Sequence, residues 1–570
     1  MSAPADSLTR QEFLATVLFA AATAGLPGVA AAAGGAKAQE QLQPREQGPS
    51  LTVEDLKTAQ KLWGLSFTDP QLEAILGAVR NGSRNYESLR GLPISYQIEP
   101  PTVFRPTGRM PRGSGASLRP TPVRGLKLPQ KEEDVAFLSV RELAFLIRSK
   151  RISSRELTKL FLSRMKAYGE KLLCLVSLTE ERALAAAKQA DEELARGRYR
   201  GPLHGVPCGI KDLFATRGYP TSWGSEPHKS QRFEYDAAVV EKLESAGAVI
   251  VAKLSLGALA QGDVWFKGRT KNPWNREQGS SGSSAGSACA TAAGLVPFTI
   301  GTETLGSIMS PSHQCRVTGL RPTYGRASRF GAMAVSWTMD KIGPICRNAE
   351  DCAIVFAAIQ GADPRDPSSV DAPFHWRPNL DLAKLKVGFL IGANDDPKDV
   401  SRLEKDDYLR LLVSMGAKPT PVRIDPVPPG VGSVLSVEAA AAFDDFTRGP
   451  AIEELKNSSW PNTYRSNRFV PAVEYLQAMR GRTLLMRRFE EQLGELDLLV
   501  ANERGAHTLF VTNLTGHPQV LVPNGTDEQG RPRSVSFIGR LHGEAVILAA
   551  AHRLQLATGF HSKRPDLSGL

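Results

Sequence analysis

The chain has 570 residues, 41% of them hydrophobic, and a formal net charge of +11, which suits a globular protein with a sizeable core and excludes a single minimal domain. Its nine histidines contain no H-E-x-x-H, and its six cysteines (Cys174, Cys208, Cys289, Cys315, Cys346 and Cys352) contain no C-x-x-C. Neither a zinc site nor a thioredoxin-like motif is signalled, so the expected chemistry is metal-free and cofactor-free. The even cysteine count permits disulfides in an exported chain, but cysteines this scattered are expected as buried thiols.

At the N-terminus, Arg10 is the only basic residue before an uncharged Ala/Leu/Val-rich stretch from Phe13 to Ala36, which closes on Ala36-Lys37-Ala38. This predicts an export signal over residues 1–38, cleaved near Ala38, and a periplasmic or extracellular protein. The run Arg10-Gln11-Glu12-Phe13-Leu14 resembles a twin-arginine signal whose second Arg is Gln. Pro27 and several glycines argue against a stable membrane span, and a leader that does not function would leave the protein cytoplasmic.

Residues 39–100 read as a helical extension. Thr52-x-x-Asp55 leads into Leu56, Ala59 and Leu62, and Asp69-Pro70 opens a second apolar-periodic run through Leu72, Ile75 and Val79. Residues 101–131 form a Pro/Gly/Arg-rich linker with seven basic residues (Arg105, Arg109, Arg112, Arg119, Arg124, Lys127 and Lys131) and no acid. Part of the net charge is therefore local and solvated. With no aromatic-spaced RNA motif beside it, no nucleic-acid partner is expected.

The main domain is expected over residues 132–570. Two capping boxes, Ser139-x-x-Glu142 and Ser153-x-x-Glu156, open it, the second followed by Leu157, Leu160, Phe161 and Met165 on one helical face. Short apolar runs at Ala248 to Val251, Val387 to Ile391, Leu498 to Ala501 and Val520 to Val522 alternate with helical patterns, which indicates an α/β layered domain.

The most informative stretch is Gln278 to Pro311, which opens with eight Gly or Ser in the nine positions Gly279 to Ser287. Composition alone makes this a flexible linker. The small-residue run Ala288 to Gly294 and the strand-like Val296 to Ile300 that follow place it inside a packed core, where Gly-rich backbone accompanies close approach to a ligand. It lacks the G-K-[ST] ending of a phosphate-binding loop, which leaves hydroxyls as the reactive groups. No G-x-S-x-G elbow invites a His-based triad. A buried, neutral lysine is the alternative base, and Lys211 follows the apolar, Gly-containing run Leu203 to Ile210, although an isolated lysine there also suits a surface role.

Four blocks in order, Gly209-Ile210-Lys211-Asp212, the Gly/Ser loop, Gly301-Thr302-Glu303-Thr304-Leu305-Gly306-Ser307-Ile308 and Gly319-Leu320-Arg321-Pro322-Thr323-Tyr324-Gly325-Arg326, resemble the amidase signature family. The resemblance runs from about Val135 to Pro565 and includes Asp236 to Leu243 and Asn513 to Pro518. It implies an α/β/α layered fold around a large mixed central sheet, preceded by the helical extension. It also implies Lys211 as base, Ser283 as a relay on a cis peptide bond, Ser307 as nucleophile, and the backbone N–H groups of Thr304, Leu305, Gly306 and Ser307 as the oxyanion hole. No metal or cofactor enters this scheme, which proceeds through a covalent acyl-enzyme.

The family's nucleophile block is commonly G-T-D-T-G-G-S-I-R, so Glu303, Leu305 and Met309 are departures. Leu305 would be strained at positive φ, and Met309 in place of Arg suggests a less acidic, more apolar substrate. Lys253 competes with Lys211 as base but is expected to be structural. Ser280, Ser281, Ser284 and Ser310 are expected to bond local backbone, and His517, before Pro518, to be a turn residue.

Residues from about Leu385 to Phe510 are expected to shape substrate preference. Three readings follow: an exported amidase acting on small or peptide-like amides, the A subunit of a glutamyl-tRNA amidotransferase, and a catalytically silent binding protein on an amidase scaffold. A homodimer is compatible with the sequence.

Overall fold

In this computed structural model, residues 51–93, 116–456, 458–502 and 507–570 are described. The expected leader lies outside them. The described residues divide into two compact units, one of residues 51–93 with 427–485, the other of residues 116–426 with 486–570. The segment expected to shape substrate preference therefore contributes residues 427–485 to the unit that holds the N-terminal helices.

In that first unit, α1 (Val53–Leu62) begins with the capping box read from the sequence: Thr52 accepts from the Asp55 N–H, and the Asp55 carboxylate accepts from the Thr52 N–H at 2.7 Å. α2 (Asp69–Arg90) follows. Leu56, Leu72 and Ile75 turn inward and pack with Phe469, because apolar residues three and four apart share one helical face.

The second unit contains α3 (Val140–Arg148) and α4 (Ser154–Tyr168), each started by its capping box at Ser139 or Ser153. α4 buries Leu157, Phe161, Leu162 and Met165, whereas Leu160 is only half-buried. The apolar face is thus turned by one position from the one expected.

The unit is built on an eleven-stranded mixed sheet. Its strands are β1 (Leu175–Leu178), β2 (Pro207–Lys211), β3 (Val249–Leu254), β4 (Phe298–Glu303), β5 (Thr318–Arg321), β6 (Lys341–Cys346), β7 (Val387–Leu390), β8 (Thr420–Val422), β9 (Leu498–Asn502), β10 (Gln519–Thr526) and β11 (Pro532–Gly539). Their spatial order is β8-β7-β9-β11-β10-β5-β6-β4-β2-β3-β1. β2 runs parallel to both β3 and β4, while β6 is antiparallel to β4, with Lys341 opposite Glu303. Every residue of β2, β3 and β6 is buried, as required of strands covered on both faces. All four apolar runs read as strands are strands. In β2, β5 and β6 glycines and charged residues interrupt any period-2 signal.

The small-residue run forms α5 (Ala285–Ala292), buried along its whole length. Its closeness to its neighbours is measured at Gly286, where a Cβ would lie 2.5 Å from the Ser255 nitrogen. Cys174 and Cys289 join one apolar cluster with Val249, Val251 and Leu254. All six cysteines are buried free thiols.

Candidate active site

β2 and β4 are adjacent and parallel, so their C-terminal ends emerge side by side and carry Lys211 and Thr302 to one edge of the sheet. The Lys211 Nζ lies 2.8 Å from Ser283 Oγ, 2.8 Å from Thr302 Oγ1 and 3.2 Å from Ser284 Oγ. The side chain is fully buried, and burial pushes its pKa down to about 7 against the opposing pull of Asp340 and Glu303. Withdrawal of the ammonium from water favours the neutral amine, which is the form able to accept a proton.

Ser283 follows a cis peptide bond from Gly282. A Cβ at Gly282 would fall 1.8 Å from the Gly262 carbonyl oxygen, so only glycine lets the two loops approach this closely. Ser284 holds three groups at once: it meets Lys211, donates to the Thr302 carbonyl at 3.1 Å and accepts from the Thr302 N–H at 3.2 Å. Its backbone N–H donates to the Ser307 carbonyl at 3.1 Å, which ties the Gly/Ser loop to the turn that presents Ser307.

That turn runs from Thr304 into α6 (Met309–Gln314). Gly306 takes the left-handed conformation, with φ +82°, whereas Leu305 is not among the residues with positive φ. The strain expected at Leu305 is absent, because the following glycine supplies the turn. Among the described residues, no acceptor pairs with the backbone N–H groups of Leu305, Gly306 or Ser307.

Glu303 fixes the turn from behind. Its Oε2 accepts from the N–H groups of Ile308 and Met309 at 2.8 and 2.9 Å, and its Oε1 accepts from Arg321 Nη1 at 2.8 Å and Asn513 Nδ2 at 2.9 Å. Burial works to raise the Glu303 pKa, but Arg321 and the N–H donors outweigh it and hold the carboxyl below its ordinary value. In front, Thr304 Oγ1 donates to Asp340 Oδ1 at 2.5 Å, and Asp340 Oδ2 accepts from the Val335 and Ser336 N–H groups at 2.8 and 3.1 Å.

Met309 is fully buried in an apolar cluster with Ala288, Ile308, Val317, Ile345 and Leu521. A side chain enclosed by core neighbours does not read substrate charge by contact, so Met309 lends the apolar-substrate expectation no direct support.

Lys253 is fully buried 2.8 Å from Asp212 Oδ1 and donates to the Pro220 carbonyl at 2.6 Å. This ion pair secures the turn after Lys211, where the Asp212 carboxylate also accepts from the Ser222 N–H at 2.9 Å. His517 is buried with Nδ1 2.8 Å from Thr515 Oγ1 and Nε2 2.7 Å from Glu490 Oε1, edge-on to Phe489. Neither is recorded in contact with Lys211, Ser283 or Ser307.

Ser280 bonds the backbone of Ser281, as expected of a loop serine, but Ser284 also reaches Lys211 and so belongs to the cluster. Thr302 and Asp340 carry no signal of this role in the sequence, and the part Ser284 plays goes beyond the local backbone bonding expected of it. Each carries an ordinary hydroxyl or carboxylate whose meaning arises only from the strands it lies beside. Among the described residues no group of His, Cys, Asp and Glu is arranged to hold a metal ion, and no helix is long and apolar enough to cross a membrane.

Residues 156–508 match the Amidase family model. The chain is 32% identical over 485 residues to the A subunit of the glutamyl-tRNA(Gln) amidotransferase of Geobacter metallireducens, covering 75% of this chain and 99% of that protein. It is 35% identical over 482 residues to its counterpart in Methylococcus capsulatus, covering 75% and 98%. Among solved structures it resembles the peptide amidase of Stenotrophomonas maltophilia, with TM-score 0.65, 25% identity and coverage of 76% of this chain and 99% of that one. An amidase family protein of Bacillus anthracis gives TM-score 0.66, 26% identity and coverage of 77% and 94%. With more than half its length matched by the family model and the layered mixed sheet present, the chain belongs to the amidase family, as its signature blocks imply.

Proposed function

We propose that the protein is an amide hydrolase in which Ser307 is the nucleophile, Ser283 the relay and Lys211 the base. The observation that carries this reading is the fully buried Lys211 amine, 2.8 Å from Ser283 Oγ and with a pKa pushed down to about 7. A neutral amine takes the Ser283 proton as Ser283 takes that of Ser307, and the Ser307 oxygen forms a bond to the amide carbonyl carbon. The backbone N–H groups from Thr304 to Ser307 face the developing oxyanion. As the C–N bond breaks, the relay returns a proton to the leaving amine. Water then attacks the acyl-enzyme by the reverse route and frees a carboxylic acid.

Labelling of residues 39–570 with a small fluorophosphonate, followed by peptide mapping, tests the assignment. Label on Ser307 that is lost in Lys211→Ala is expected. Absence of label with probes of several sizes would overturn it in favour of a silent scaffold.

The relatives named as A subunits of amidotransferases support a second reading, in which the chain plays that part in a larger complex. The export signal expected from the sequence over residues 1–38 favours the first, because a tRNA substrate is cytosolic. Mass spectrometry of the mature N-terminus in the native host separates the two: a start near Gln39 supports export, and an intact Met1 in the cytosol removes that argument. A stable complex with B and C subunits, with glutaminase activity confined to it, would reverse the order.

A further inference from the structure

We propose that Trp337 is the substrate-reading platform of the Ser307 site, and that the amide it selects carries an aromatic ring. The proposal rests on the amidase reading above and adds the substrate class.

The segment Arg329 to Asp340 is tied at one end to the chain just after Lys211 and at the other to the turn that presents Ser307. At one end it runs beside the residues just after Lys211: the Ala215 N–H donates to the Gly331 carbonyl at 2.8 Å, the Met333 N–H donates to the Leu213 carbonyl at 3.1 Å, and Phe214 bridges Ala332. At the other end Asp340 meets Thr304 Oγ1, three residues before Ser307, and leads directly into β6 beside β4. Trp337 lies between these two anchors in the chain.

Its backbone is held from both sides. The Asp340 carboxylate gathers the Val335 and Ser336 N–H groups, and the Asp340 N–H donates to the Ser336 carbonyl at 2.9 Å. The Trp337 carbonyl accepts from Tyr324 OH at 2.6 Å and from the Arg329 guanidinium, which itself lies over the Tyr324 ring. The indole is nevertheless 47% exposed, and among the described residues no ring or guanidinium is stacked on it. Exposed Trp63 contrasts with it, since that ring packs edge-on to Phe469.

Single exposed apolar side chains need no explanation on their own. An indole on a multiply bonded turn, three residues before the Asp340 that meets Thr304 of the Ser307 turn, is different. Its backbone ordering is already complete before ligand arrives, so the stacking of a flat ring costs little additional entropy.

Isothermal calorimetry on the Ser307→Ala protein tests the inference without requiring turnover, with phenylacetamide (ring on the acyl half), acetanilide (ring on the amine half) and propionamide (no ring) as probes. At least one aromatic amide is expected to bind more tightly than propionamide. Adding Trp337→Ala is expected to weaken that aromatic amide about tenfold, with Trp337→Phe recovering most of the loss and propionamide unaffected. No preference for either aromatic amide, or equal affinities with and without the indole, would overturn it. Fluorophosphonate labelling of Ser307 in the protein with Trp337 intact separates this result from failure of the amidase reading, which would show as no label there.

Discussion

The Lys211 amine and the Ser283 hydroxyl are 2.8 Å apart although 72 residues separate them in the chain. Lysine and arginine are not interchangeable at such a contact, because a guanidinium stays protonated. Lys211→Ala and Lys211→Arg are both expected to slow acylation of Ser307 by about 10²–10⁴-fold, the range of a positioned general base. Label incorporation against time measures the loss. An arginine variant with near-normal acylation would contradict the assignment of Lys211 as a proton acceptor.

The direction of the pH dependence follows from the burial-lowered Lys211 pKa of about 7. The neutral amine is the active form, and its fraction rises as pH rises through that pKa. Acylation is expected to increase with a midpoint near pH 7 and to level off above it, falling to about one tenth of the plateau one unit below the midpoint. A rate flat from about pH 5.5 to about pH 8.5 would place the titrating group elsewhere.

Glu303 and Arg321 form a fully buried ion pair at 2.8 Å. Glu303→Ala strands the guanidinium and frees the Ile308 and Met309 N–H groups, a change expected to destabilise by about 3–5 kcal/mol. Because the two partners are coupled, Glu303→Gln with Arg321→Met is expected to cost less than the two single changes together. Thermal unfolding of the single and double variants reads the coupling, and strict additivity would dissolve the pair as an energetic unit.

Lys253 is paired with Asp212 as closely as Lys211 approaches Ser283, yet its expected phenotype is the opposite. Lys253→Met leaves the Asp212 carboxylate uncompensated in the interior, so it is expected to lower the unfolding midpoint and the soluble yield. The folded fraction should still label at Ser307. Lys211→Met is expected to fold with near-normal yield and fail to label, because the amine it removes is paired with hydroxyls and leaves no buried carboxylate uncompensated.

Sequence patterns located what is local. The capping boxes at Thr52, Ser139 and Ser153 are formed as written, since a cap is satisfied within four residues. The four runs rich in Val, Leu and Ile are strands for a similar reason. Leu160 escaped this logic: which side of a helix faces inward is fixed by the partner it packs on, and here Leu162 has the buried place.

The sequence by itself therefore determined the signature blocks, the helix starts and which hydroxyls and amines were available for chemistry. The tertiary structure alone decided which of them meet. The strand order β6-β4-β2-β3 brings Lys211 to Thr302 and sends Lys253 to Asp212, and a contact spanning 210 residues joins Glu303 to Asn513. Both lysines are fully buried, so what separates them is the neighbour each meets: Lys253 has the Asp212 carboxylate at 2.8 Å, whereas Lys211 has the hydroxyls of Ser283 and Thr302 at the same distance.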